Sequence, residues 1–239
     1  MEDAVFVWSG GKDSALALYR VLQLKTYRIK YFVTTFSAPH YRVTMHGVAK
    51  EFIEMQADSL GIPLWPVFIP EDIKLGTYET QMHATYCQLK SIGITTAIFG
   101  DIFLKDLKLY RQQQLALANM ETFFPLWGEP TLHLVQEFIN LNFKALLICV
   151  SDYRLGPSFL AKQIDQEFLN ALPIQVDPAG EQGEYHSFVY AGPIFNNVIP
   201  FKTGDVILRD FAVKAATATN TQNYDTKFWF LELLPATTR

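Results

Sequence analysis

The chain has 239 residues, of which 49% are hydrophobic and 18% charged, and its formal net charge is −4. That balance supports a sizeable buried core and excludes the disordered and low-complexity classes. Lys and Arg are scattered rather than clustered, so no broad electrostatic footprint for nucleic acid is visible, whereas a small anionic ligand needs only a local positive pocket.

In chain order, the first 125 residues alternate short apolar runs with amphipathic stretches, the signature of βαβ units and a parallel sheet covered by helices. Strands are predicted at "AVFVW", "IKYFVTTF", "LWPVFI" and "TAIFG". Between them "DSALALYRVLQL", "HGVAKEFIEMQADSLG" and "YETQMHATYCQLKSIG" carry apolar residues at spacings of three and four, and the last two close on glycine. A further helix spans Leu107 to Asn119; "EPTLHLVQEFINLNF" and "KALLICVS" add another helix and strand. Beyond Asp152, Pro157, Pro173, Pro178, Gly180 and Gly183 punctuate the chain, and alternation replaces helical periodicity in "EYHSFVYAGPIF" and "DVILRDFAVKAA". The expected architecture is an α/β protein with a parallel doubly wound sheet in residues 1–125 and a smaller α+β portion in 126–239.

Cys87 and Cys149 show neither CxxC nor Cys/His zinc spacing; Cys149 lies in the apolar run "ALLICV" and reads as a core thiol. No apolar run approaches the ~20 residues that cross a bilayer, and the first residues lack the order of a signal peptide, so a cytoplasmic location is expected.

The strongest motif is "VFVWSGGKDSALAL", where a hydrophobic strand runs through Ser9, Gly10, Gly11, Lys12, Asp13 and Ser14 into a helix. Adjacent glycines let the backbone turn N–H groups onto an anion, and the following helix adds unpaired donors and a positive dipole end. Phosphate is the natural occupant, with Lys12 as a point charge and the Ser9 and Ser14 hydroxyls as further donors. Asp13 either caps the helix or holds magnesium beside the phosphates. The spacing is not that of Walker A. It matches the PP-loop, the SGGxDS signature of ATP pyrophosphatases.

Three segments extend the likeness: the loop, "MHGV" opening the second crossover helix, and "GEQGEYHSFVYAGPIF". Through them the chain resembles the diphthine–ammonia ligase family of PP-loop ATPases over nearly its full length, and the segment "GDIFLKDLKLYRQQ" is closer to a largely bacterial branch of that family. The resemblance implies an adenine nucleotide α-hydrolase (HUP-like) sheet binding ATP with Mg²⁺. It also implies adenylation of an acceptor carboxylate, releasing AMP and pyrophosphate, and amidation with ammonia. It further suggests that Thr34 and Thr35 meet adenine and that His46 reaches phosphate or substrate. Gly100 and Asp101, after "TAIFG", are expected beside the loop as a magnesium or ribose contact. Glu181 and Glu184 in "GEQGEYHS" are expected to handle the amine, Glu184 taking or orienting the ammonium proton with His186 assisting from the same strand face. Arg111 is a candidate clamp for the acceptor carboxylate.

Within the same chemistry, a corrinoid-type or other small carboxylate is an alternative acceptor. A tRNA-modifying PP-loop enzyme is a different class, opposed by the missing basic surface and, for sulfur insertion, by the missing reactive cysteines. A regulator of the universal stress type would bind ATP without turnover; Lys12 within a complete SGGKDS argues against it.

Overall fold

The computed structural model describes residues 1–44, 46–70, 76–211 and 226–236. Strand β1 (Glu2–Val7) feeds α1 (Lys12–Leu24), which returns to β2 (Tyr27–Ser37); a two-residue antiparallel β3 (Arg42–Val43) precedes α2 (Lys50–Leu60) and β4 (Leu64–Ile69). Then come α3 (Thr77–Ser91), β5 (Thr96–Ile98), α4 (Lys105–Leu117) and β6 (Glu121–Phe123). Among the described residues the parallel strands lie in the order β4-β2-β1-β5-β6.

The chain steps outwards from β1 through β2 to β4, then crosses back to lay β5 along the other side of β1. This reversal makes the carboxyl ends of β1 and β5 the switch point, where open α/β sheets form a ligand crevice. The near-continuous apolar character of β1 follows from burial on both faces: Ala4, Phe6 and Trp8 belong to one buried cluster and Val5 to the other. α2 buries Phe52, Ile53, Gln56 and Ala57 and stops at Gly61, whose φ of 67° lets its N–H turn back onto the Ala57 and Asp58 carbonyls.

A second sheet is antiparallel throughout, in the order β8-β7-β10-β9, with β7 (Lys144–Ser151), β8 (Tyr185–Ala191), β9 (Phe201–Asp210) and β10 (Lys227–Pro235). α5 (Thr131–Asn140) and α6 (Gln166–Ala171) accompany it, the latter capped by Asp165, whose carboxylate accepts from the Phe168 N–H at 2.9 Å. The expected class therefore holds: a HUP-like α/β sheet with a smaller C-terminal portion. One buried cluster includes side chains of both sheets, and Phe52 meets Phe188 edge-to-face at 5.4 Å.

Four details differ from the sequence reading. α2 begins at Lys50 and not at His46, because Gly47 adopts φ 77° and Ala49 bridges back to Arg42, holding 46–49 out of the helix. β2 continues to Ser37, past the threonines expected at its end, because β4 pairs with it as far as Ile69. Glu121–Phe123 forms a short strand that three residues are too few to announce by periodicity. β9 is exposed along most of its length as an outer strand, so the alternation expected over 205–216 does not govern it; residues 212–216, and Met45 of the "MHGV" segment, lie outside the described residues. Among the described residues, no helix is long and apolar enough to cross a membrane.

Candidate active site

A cleft of about 690 Å³ opens at the switch point. It is lined by the ends of β1 and β2 (Trp8, Thr34, Thr35), the loop after β5 (Gly100, Asp101) and the segment 180–183. Ser9, Asp13 and Ser14 line it directly.

The loop geometry follows from its residue types. Gly10 takes φ 81°, and a Cβ there would stand 2.7 Å from the Ile53 Cδ1, so only glycine fits. Gly11 forms the N-cap of α1 without a side-chain cap of its own. The Ser9 and Ser14 hydroxyls sit 2.9 Å apart, and the Gly11 N–H donates to the Ser9 Oγ at 3.3 Å. Gly100 presses on the start of α1: a Cβ would lie 3.1 Å from the Asp13 carbonyl carbon and the Ser14 nitrogen.

Lys12 does not line the cleft. Its side chain is 4% exposed, and its ammonium donates to the Ala179 carbonyl and to the Asp13 Oδ2 at 2.8 Å while lying 4.8 Å above the Tyr185 ring. Its backbone N–H donates to the Ser187 Oγ at 3.1 Å, so Ser187 of β8 supports the helix start. Loss of water pushes the Asp13 carboxyl up while Lys12 pulls it down.

The two carboxylates of "GEQGE" separate. Glu181 lines the cleft, accepts from the Ile102 N–H at 3.0 Å, and has its carboxyl pushed up to about 7, first by desolvation and then by Asp13. Glu184 is fully buried and accepts from the Asp177 N–H (3.1 Å), the Gln182 N–H (3.0 Å) and Arg154 (3.2 Å). The ammonium-handling role expected of Glu184 finds no support in this placement, because its oxygens are spent on fixing the 177–184 loop and it is absent from the cleft lining. Nor does it share a cleft-facing position with His186, which lines the cleft.

Arg111, the expected acceptor clamp, is committed to Asp101 at 2.7 Å with its guanidinium over Phe99. The same pair occupies Asp101, one of the two expected magnesium residues. Among the described residues no group of three or more His, Cys, Asp or Glu is arranged to hold a metal. Mg²⁺ is commonly held by one or two carboxylates together with substrate phosphates; Asp13 lines the cleft as a hard oxygen donor and is ion-paired to Lys12 at 2.8 Å.

His46 and His186 come together from the two portions of the chain, ring centroids 4.2 Å apart, and both line the cleft. Desolvation lowers both, His46 to about 4, so the pair is neutral at physiological pH. Thr35 also lines the cleft, its hydroxyl 2.7 Å from that of Thr44, whereas the Thr34 hydroxyl donates to the Trp8 carbonyl at 2.7 Å. Cys149 is buried in β7 with its thiol raised to about 12, as a core residue should be.

The sequence reading missed Tyr78, Met82, Tyr86 and Phe99, which supply a flank of three aromatic rings and a methionine to the cleft, and Gln56, which is buried beneath the loop. Only Gln56 leaves a signal: it is a polar residue on the apolar face of "KEFIEMQADSL".

Together these features define a HUP-like α/β protein with a PP-loop at its switch point. Residues 1–114 match the family model of the diphthamide synthase N-terminal domain, and residues 130–210 that of the diphthamide synthase C-terminal domain. The chain belongs to this family, the diphthine–ammonia ligase family of PP-loop ATP pyrophosphatases, and is thus an ATP-using enzyme. No curated protein matches the sequence.

Proposed function

We propose that the protein activates an acceptor carboxylate by adenylation and then amidates it with ammonia. The observation that carries this reading is that one cleft holds both the phosphate loop at the end of β1 and the Glu181 carboxyl, whose affinity for a proton is raised. ATP would lie with its β and γ phosphates against the Gly10–Ser14 turn and the start of α1, and its base toward Thr35. An acceptor carboxylate oxygen attacks the α-phosphorus, the bond to the β-phosphate breaks, and pyrophosphate departs onto the loop amides and serine hydroxyls. Mg²⁺, held by Asp13 and phosphate oxygens, would neutralise charge on the leaving group. Ammonia then attacks the activated carbonyl carbon, AMP leaves, and the nitrogen's surplus proton passes to Glu181.

Glu181 suits that last step better than Glu184: it reaches the cleft, and a carboxyl near 7 matches the working pH of a general base. Lys12 can reach a phosphate only by exchanging the Ala179 carbonyl or Asp13 for it. Asp101 with Arg111 forms a neutralised pair shaping the wall beside the loop. His46 and His186 present neutral ring nitrogens toward the same space and can serve as hydrogen-bonding partners for nucleotide or acceptor.

The test is product analysis with ATP, ammonium and candidate acceptors, both protein side chains and small corrinoid-type carboxylates. AMP and pyrophosphate in equal amounts with an amidated product support the reading; ADP and phosphate refute it. A salt-sensitive gel shift with bulk tRNA would favour the nucleic-acid alternative instead.

A further inference from the structure

Gln56 is the only described polar side chain that joins the end of β1, the phosphate loop and β8, and it is fully buried. Its Nε2 donates to the Gly10 carbonyl at 3.1 Å and to the Val189 carbonyl at 2.6 Å, and its Oε1 accepts from the Trp8 indole N–H at 2.8 Å. The partners fix the amide's orientation: an indole N–H only donates and carbonyls only accept, so the oxygen must face Trp8 and the nitrogen the two carbonyls. Glu would place oxygen against two carbonyl oxygens, and Met offers no donor.

The consequence reaches the cleft through one peptide plane. The Gly10 carbonyl is held toward the protein interior by two donors, Gln56 Nε2 and the Val189 N–H at 2.9 Å. In a trans peptide the N–H of the next residue points opposite to that carbonyl, so anchoring the oxygen inward turns the Gly11 N–H outward, onto the side of the Ser9 hydroxyl that lines the cleft. Since Gly10 has no Cβ and sits at φ 81°, sterics alone do not prevent this plane from rotating; a rotated plane would aim a carbonyl oxygen at incoming phosphates.

We infer that Gln56 is a positioning residue for nucleotide binding, which sets the Gly10–Gly11 peptide so that the loop presents amide hydrogens and not a carbonyl oxygen to the phosphates of ATP. The inference rests on the proposed function only in that the loop binds ATP.

The test measures binding of Mg·ATP by calorimetry to the wild-type chain, Gln56→Met, Gln56→Glu and a control, Phe138→Leu, which is buried on α5, stacks on Phe143 and does not line the cleft. Each thermal midpoint is recorded, together with the ¹H–¹⁵N signals of Gly11 and the Trp8 indole. Both Gln56 variants should bind Mg·ATP at least tenfold more weakly, raise the KM for ATP more than they lower kcat, and shift the Gly11 amide in the free protein. The control should lose thermal stability without losing affinity. Wild-type affinity in Gln56→Met, or an equal affinity loss in the control, overturns the inference. Absence of Mg·ATP binding by the wild-type chain overturns the nucleotide-binding reading beneath it, which is a distinct result.

Discussion

The N–H of Val189 donates to the carbonyl of Gly10 at 2.9 Å, so a strand of the second sheet is hydrogen-bonded directly onto the turn that faces the cleft. The Ser187 hydroxyl, two residues earlier on β8, accepts the Lys12 N–H. The second sheet therefore helps to build the loop, and disturbing either portion of the chain should be felt in the phosphate site.

Lys12→Ala is expected to abolish AMP and pyrophosphate formation, by ~100-fold or more if the ammonium meets charge on the leaving group. It also leaves the Ala179 carbonyl without its ammonium donor, at a cost of ~1–3 kcal/mol. Product analysis beside thermal denaturation separates the two effects; turnover at the wild-type rate would remove Lys12 from the chemistry.

Glu181 sets a pH dependence whose sign is fixed by its surroundings. Its carboxyl is raised from 4.5 to about 7, so between these values the folded protein binds more protons than the unfolded chain and stability falls as pH rises. Glu181→Gln should flatten that slope, making the variant more stable than the wild type at pH 8 relative to pH 4. If Glu181 is the base, the variant also loses the rise of amide formation through about pH 7. An unchanged stability slope in melts at stepped pH would contradict the raised carboxyl.

Glu184→Gln should act on folding before chemistry. Removing one member of a buried ion pair costs ~3 kcal/mol at the lower end, because Arg154 remains one-third exposed. That corresponds to a fall of ~6–12 °C in Tm for a chain of this size. A melt that stays at the wild-type midpoint while amidation alone slows would return Glu184 to the ammonium step.

Gly100→Ala tests how tightly the wall after β5 presses on α1. Its Cβ would meet backbone atoms of Asp13 and Ser14 at 3.1 Å, and backbone cannot swing aside as a side chain can. The expected outcome is weaker ATP binding by ~10-fold, equivalent to ~1.4 kcal/mol, from displacement of the helix start. Calorimetry giving wild-type affinity would show that α1 tolerates the shift.

Acid sensitivity should also arise at the paired imidazoles. Folding lowers His46 to about 4 from 6.5, so the unfolded chain takes up the proton first and stability declines as pH falls across that interval. His46→Phe should reduce this decline in melts between pH 7 and 4; an identical decline would place the acid-labile group elsewhere.

Much of the fold was legible because its cues are local. The buried β1 run, the glycine pair, and the three-and-four spacing in α1 to α3 each act over a few residues, so strand, turn and helix could be placed, and with them the phosphate loop. The weaker forecasts concerned residues whose environment is assembled from distant segments. Glu181 and Glu184 are three positions apart with the same chemistry, yet one borders Asp13 and Ile102 and the other is taken up by Asp177, Gln182 and Arg154.

Sequence alone determined that a glycine-rich turn of the PP-loop type ends the first strand and opens a helix, because backbone permissiveness and helix-end donors are properties of the hexapeptide itself. Tertiary structure decided what each charged side chain can do. Arg111 is neutralised by Asp101, Lys12 is drawn to the Ala179 carbonyl and over the Tyr185 ring, and Gln56 reaches Gly10 across 46 positions. Charge pairing and desolvation depend on separations in space, which residue order does not encode until the sheets are packed.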